Sequence, residues 1–163
     1  MNRILGTALG RLAMVLPGGT SVRPRLHRWR GASVGDNAWI GLYVYIDDIH
    51  PEALSIGHNC TIGIRTSIIT HFYWGRRQPA SNGKVVIENN VFIGPHCVIL
   101  PDVTIGEGAV IQAGSVVTRS VPPRTFWGPP PSGPLGVAAV PLTPEHGMAG
   151  FLRGLRPTRP ERD

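Results

Sequence analysis

Cysteine, acidic residues and long apolar runs are what this 163-residue chain has least of, and each scarcity excludes something. Its two cysteines, Cys60 and Cys97, cannot build a disulfide framework, and no Cys or His pair sits at the close spacing of a structural zinc site. Both occupy small inward positions of the repeat described below, which predicts core thiols, no disulfide and a reducing, cytoplasmic compartment. Ten acidic residues face sixteen basic ones, for a net charge of +6, and residues 1–31 hold six Arg and no acid. No recognition motif accompanies that charge, so nucleic acid is not an expected partner. An anionic lipid surface, a phosphorylated ligand or plain solvent are the readings left.

The longest apolar pattern, Asn2 to Leu16, is helical, with Ile4, Leu5, Ala8, Leu9, Leu12, Val15 and Leu16 set against Arg3, Thr7 and Arg11. It is too short to span a bilayer, Arg11 interrupts it, and no small-residue cleavage site follows it. Packing on the protein, lying on a membrane surface through residues 2–30, or serving as a signal peptide are the three roles open to it.

What is abundant is Ile and Val at a fixed spacing. Val34, Ile40 and Ile46, then Ile56, Ile62 and Ile68, then Ile87, Ile93, Ile99, Ile105, Ile111 and Val117 recur at intervals of six, with a small residue four places on in ten of the twelve cases. A six-residue period predicts an all-β fold, a parallel β-helix in which three units close one triangular coil and twelve make about four. β-branched anchors suit a strand that stacks on its copies. Glycine follows six anchors, where it is expected to relieve backbone conformations that a Cβ would penalise. This gives an N-terminal helix and arm over 1–30, the β-helix over 31–123 with a loop at 71–83, and a Pro/Gly-rich tail over 124–163. In the tail a short helix is expected, with Thr143 as cap, Pro144 first, and Met148, Phe151, Leu152 and Leu155 on one face.

The rhythm breaks twice, by four extra residues between Ile46 and Ile56 and by thirteen between Ile68 and Ile87. Both breaks follow the third side of a coil, so both insertions leave the prism at one corner. The longer one opens with His71, which can titrate near neutrality under a covering arm or be an ordinary surface histidine.

The stretches from Gly83 to Gly94, Val98 to Gly106 and Gln112 to Pro123 resemble the hexapeptide-repeat acyltransferases, and within them the branch of maltose, galactoside and polysaccharide O-acetyltransferases. The resemblance covers about residues 31–132 and implies a left-handed β-helix, a homotrimer with active sites between subunits, and acyl transfer from acetyl-CoA or another acyl-CoA without a metal. In that branch the catalytic His heads the extended loop, where His71 stands here. The resemblance also points to Phe92, Gly94, Ala113, Ser115, Thr118, Arg119, Pro122 and Pro123 for CoA, with Arg119 as the cation near the nucleotide phosphates. Phe92 stands where the family commonly has Trp, and Gly128-Pro129-Pro130-Pro131-Ser132 replaces a Gly-x-Pro-Ala-Lys pattern.

Coil arithmetic suggests a partner for His71. His71 lies three after Ile68 and Asp102 three after Ile99, which puts their backbones one strand spacing, ~4.8 Å, apart. Asp102 can therefore orient His71 or raise its pKa, and a solvated turn aspartate fits equally well. Asp47 and Asp48 at the same corner are the alternative acids, or can hold acceptor hydroxyls. Asn82, Tyr73 and Trp74 suit an acceptor pocket, since aromatic faces suit sugar rings.

The acceptor itself is left open: a sugar, a lipid-linked or surface glycan at the inner face of a membrane, or a specialised metabolite acylated at oxygen or nitrogen. Two other functions share such a fold. A γ-class carbonic anhydrase needs three His around a metal, and His50, His58, His71 and His96 lack that family's spacing. A non-catalytic scaffold would bind no CoA.

Overall fold

The structure is a computed structural model that describes residues 3–71, 83–128, 136–139 and 147–157. Its contacts divide into two compact units, Met1–Pro129 and Pro130–Asp163.

The first unit opens with α1 (Arg3–Val15) and α2 (Val22–Trp29) and continues as a left-handed parallel β-helix. The first coil is β1 (Ser33–Val34), β2 (Trp39–Ile40) and β3 (Tyr45–Ile46), and the second is β4 (Leu54–Ile56), β5 (Thr61–Ile62) and β6 (Ser67–Ile68). The third is β7 (Val85–Ile87), β8 (Phe92–Ile93) and β9 (Val98–Ile99), and the fourth is β10 (Val103–Ile105), β11 (Val110–Ile111) and β12 (Val116–Val117). Strands of like position stack in parallel, β1-β4-β7-β10 on the first side and β3-β6-β9-β12 on the third. All twelve anchors are buried, and they stack in register, as in Ile46 on Ile68 on Ile99 on Val117. Each such Ile contributes about 1.5–3 kcal/mol relative to an exposed side chain. The ten small residues four places on, Cys60 and Cys97 among them, are buried inside the prism, and both thiols are free.

Two details differ from the sequence reading. The glycines that follow anchors do not take left-handed backbone; that conformation falls three residues after the anchor, at Asn37, Tyr43, Asn59, Arg65, Asn90, His96 and Asp102. The glycines are there because the next coil is too close: a Cβ on Gly63 would lie 2.4 Å from the nitrogen of Pro95. The helix also runs past residue 123. Val121 bridges Ile105, and β13 (Phe126–Trp127) joins the second side as β13-β11-β8-β5-β2. The chain moves from Val117 to Val121 in four residues rather than six, so a count by six lands on Pro123 and misses this partial fifth coil.

The first coil has no coil beneath it, which leaves its anchor carbonyls unpaired. Within the stack such carbonyls accept the preceding coil's amides, as Ile56, Ile62 and Ile68 accept from Gly35, Gly41 and Asp47. Three arginines take the place of the missing amides, one per side of the triangle. Arg28 donates to Val34 O at 2.7 Å, Arg23 to Ile40 O at 2.6 Å, and Arg30 to Ile46 O at 3.2 Å. An uncapped edge would strand these acceptors. Half of the N-terminal arginines are therefore structural rather than free surface charge, while Arg11 and Arg25 stay exposed.

α1 packs through its small face, Gly6, Gly10 and Ala13, and leaves Ile4 79 % and Val15 55 % exposed. The expected apolar face is real, but the side that meets the protein is the one that allows close approach. Among the described residues no helix is long and apolar enough to cross a membrane.

Under α1 lies His27, 1 % exposed, its Nδ1 3.3 Å from Arg30 Nη1. Burial, then the neighbouring Arg30 charge, hold its pKa down to about 3. The unfolded chain takes up this proton near pH 6.5, so the stability carried by neutral His27 is complete above that pH. It is lost as the pH falls from 6.5 toward 3, by roughly 4 kcal/mol at the lower end. His27→Gln should abolish this component: denaturant midpoints of the two proteins, compared from pH 7 to 4, are expected to converge as the pH falls, and parallel curves would refute the assignment.

In the second unit β14 (Gly136–Ala138) pairs antiparallel with β15 (Leu155–Pro157), and α3 (Gly147–Gly154) lies between them in sequence. The expected helix is present over 147–154, with Leu155 in the strand that follows rather than on the helix face. Thr143 and Pro144 lie outside the described residues.

Candidate active site

The third side of the prism delivers the site. β3 ends at Ile46, and the next residue, Asp47, donates its amide to Ile68 O at 3.0 Å. The shorter insertion, residues 47–53, folds back over Asp47 and leaves its side chain fully buried. One coil up, β6 ends at Ile68 and the chain reaches His71, the last described residue before the long loop. Thr70 ties the two insertions together: its hydroxyl donates to His50 O at 2.8 Å and its amide to Asp47 Oδ2 at 2.9 Å.

These contacts aim Asp47 at His71. Asp47 Oδ1 accepts the Ile49 amide at 2.9 Å, and Oδ2 is hydrogen-bonded to His71 Nδ1. Burial alone would push the Asp47 carboxyl up, but the Ile49 and Thr70 amides and the His71 imidazole outweigh it and hold the pKa below the ordinary value. Asp47 is thus a buried anion that can only accept, so the shared proton sits on His71 Nδ1. In the neutral ring Nε2 then carries the basic lone pair. The His71 side chain is 14 % exposed. Chemically, an imidazole held in one tautomer by a carboxylate can accept a proton at Nε2.

Asp102 does not fill that role. Its strand is where coil arithmetic put it, with Ile68 beside Ile99, but Asp102 itself is an exposed corner residue with φ +61°. Stacking fixes which backbones are neighbours, whereas side-chain direction depends on the corner conformation, and at this corner the tip points outward. Asp47 holds the imidazole instead. Asp48 turns the other way, onto Arg30 Nη2 at 2.6 Å. Tyr73, Trp74 and Asn82 lie outside the described residues.

The residues assigned to CoA do not form one cluster within the chain. Gly94 and Ala113 abut at the corner between the second and third sides, where a Cβ on Gly94 would come 2.6 Å from the Ala113 nitrogen. Phe92 projects from the second side, 47 % exposed. Thr118 and Arg119 leave the third side two coils above His71, and Arg119 lies over the Trp127 ring at 5.2 Å. Pro122 and Pro123 stand at the remaining corner, with Pro123 lining a cleft of about 570 Å³ together with Glu88, Asn90, Glu107 and Arg124. The Ser115 side chain faces the core and its hydroxyl donates to Gln112 O at 2.6 Å. Among the described residues no three His, Cys, Asp or Glu side chains are grouped as a metal site.

Sequence reasoning missed Arg30, His27 and Thr70. Only Thr70 carried a signal, as the residue joining the last regular strand to the loop.

Residues 84–119 match the family model for the bacterial transferase hexapeptide, six repeats. The chain is 41 % identical over 95 residues to YvoF of Bacillus subtilis, an acetyltransferase by name, and 34 % identical over 116 residues to the galactoside O-acetyltransferase of Escherichia coli. These matches take in 58 % and 57 % of this chain and 54 % and 57 % of the relatives, so the chain spans about half the length of the curated relatives it matches. A hexapeptide-repeat acetyltransferase of Vibrio cholerae, solved with acetyl coenzyme A, superposes with a TM-score of 0.61 at 27 % identity, over 79 % of this chain and 82 % of that one. With the repeat over residues 84–119 and the coil in its fold, the chain is similar to the hexapeptide-repeat transferases of bacteria.

Proposed function

We propose that this chain transfers acetyl from acetyl-CoA to a hydroxyl of a sugar or glycan, with His71 as general base and Asp47 as the residue that orients it. The observation that carries this is the hydrogen bond between His71 Nδ1 and the buried Asp47, at the corner where both insertions leave the coil. Nε2 takes the proton of the acceptor hydroxyl as its oxygen attacks the thioester carbonyl, then returns it to the departing CoA thiolate. No covalent acyl-enzyme is required, and Asp47 stabilises the imidazolium that forms between the two transfers. The acetyl-CoA seen with the Vibrio relative and the named activity of the Escherichia coli one support donor and acceptor class. The CoA candidates occupy three different corners of one prism, so a single donor molecule can meet several of them only between copies of the chain, which supports a homotrimer.

The test is acceptor-dependent release of CoA thiol from acetyl-CoA against a panel of sugars and amines. Cys60 and Cys97 are buried, so the protein's own thiols give little background. Release with sugars supports the reading, release with amines alone moves it to N-acylation, and no release with no acetyl-CoA-dependent shift in melting temperature leaves a scaffold.

A further inference from the structure

We propose that Arg30 is the positioning residue of the His71–Asp47 pair: from beneath the first coil it fixes the backbone of 46–48 so that Asp47 meets His71, and it neutralises Asp48. The inference rests on the acyl-transfer reading above for its kinetic consequences, and on geometry alone for the rest.

Among the described residues, Arg23 and Arg28 bond only to backbone carbonyls and, at the surface, Arg28 approaches Asp36 at 3.9 Å. Arg30 does more than cap its side. Its side chain is 1 % exposed, and Nη2 reaches Ile46 O at 3.2 Å, Asp47 O at 2.9 Å and Asp48 Oδ1 at 2.6 Å. One guanidinium thus grips the peptide on each side of the Asp47 Cα and the next side chain. The second terminal nitrogen, Nη1, also reaches Ile46 O at 3.2 Å, so both ends of a planar, permanently charged fork are engaged. The guanidinium is itself held in place. His27 Nδ1 stands 3.3 Å from Nη1, and α1 crosses so closely that a Cβ on Gly10 would come 2.7 Å from Cζ. Burial of this depth around a charge makes its loss costly, and the cost falls on the segment that carries Asp47.

Charge is the second consequence. Among the described residues, the groups around the pair are Asp47, Asp48, Arg30, His27 and Tyr45, with His50 and its partner Glu52 on the neighbouring turn. Asp47 is the carboxylate bonded to the imidazole, and Asp48 is compensated by Arg30. Without the guanidinium, Asp48 would stand uncompensated beside Asp47, and the two carboxylates together would favour positive charge on the imidazole.

The experiment is NMR titration of the His71 imidazole, assigned by its absence in His71→Asn, together with kinetics on the full chain. Arg30→Met should raise the His71 midpoint by about half a unit or more. It should also lower kcat roughly 10- to 100-fold, as loss of outer-shell support does elsewhere, with the KM for acetyl-CoA unchanged. Adding Asp48→Asn to Arg30→Met should return the midpoint toward wild type without restoring kcat, a reversal that a purely structural role does not produce. Gly10→Ala, which displaces the guanidinium and keeps the charge, should lower kcat with a smaller change in midpoint, and it carries the test if Arg30→Met does not fold. A folded variant with wild-type midpoint and kcat overturns the proposal. If the midpoint moves but the wild-type protein releases no CoA with any acceptor, the acyl-transfer reading fails and the positioning role stands.

Discussion

His71→Ala is expected to lower kcat by roughly 10²- to 10⁴-fold, the usual contribution of a positioned base, while the protein keeps its coil. The hydroxyl of a sugar is a poor nucleophile at neutral pH, and in this site the described group aligned to take its proton is Nε2 of His71. The fold should not suffer, because the β-helix stacks through its anchors and His71 lies outside them, at the corner. Asp47 loses one partner but keeps the Ile49 and Thr70 amides, so its charge is not left bare. Acceptor-dependent CoA release and melting temperature, measured on the same preparation, separate the two effects. Lost turnover with an unchanged melt is the expected pair; near-normal turnover would remove His71 from the mechanism. Added imidazole should recover part of the rate in the alanine variant, since it supplies the missing base to the space the side chain vacates.

How much of this was legible in the sequence follows from how local each feature is. The anchors could be read because a coil repeats one environment, and Ile or Val satisfies it each time. The corner could be read because insertions can leave a stacked prism only where no strand must pair. Side-chain direction could not. Coil arithmetic put Ile99 beside Ile68 correctly, but Asp102 at its left-handed corner is exposed, whereas the turn of 47–53 folds back and buries Asp47. The arginine cap was hidden for another reason. Arg23, Arg28 and Arg30 come from a helix and the residue that caps its end, and nothing in the helical period says which carbonyl each will meet. As charge alone they suggested an anionic partner; as donors they complete an unfinished sheet edge on three sides. The glycines after the anchors show the same limit, since conformational freedom and close approach call for the same residue and only the neighbouring coil tells them apart.

Asp47→Asn should cost nearly as much rate as loss of the base, again about 10²- to 10⁴-fold, and it discriminates this site from the one that sequence spacing suggested. The carboxylate satisfies three donors at once: the Ile49 amide on Oδ1, and the Thr70 amide and His71 Nδ1–H on Oδ2. An asparagine has one acceptor oxygen. If it faces Thr70 and His71, the Ile49 amide meets an NH₂ group; if it faces Ile49, the NH₂ group meets His71 Nδ1, which must then give up its proton. In that second state the proton resides on Nε2, and the ring has no lone pair to offer the acceptor. The lost negative charge also disfavours imidazolium, so the acid limb of kcat/KM should move to lower pH in whatever activity remains. Stability should change in a separate window. Asp47 is held below the usual carboxylate range when folded, so its contribution is present above pH 3.8 and disappears as the pH falls through its folded value; the variant lacks that acid-side slope. Asp102→Asn, at an exposed corner, should change neither rate nor pH profile. Equal losses in the two variants, or a loss confined to Asp102, would return the orienting role to the residue that stacking alone selects.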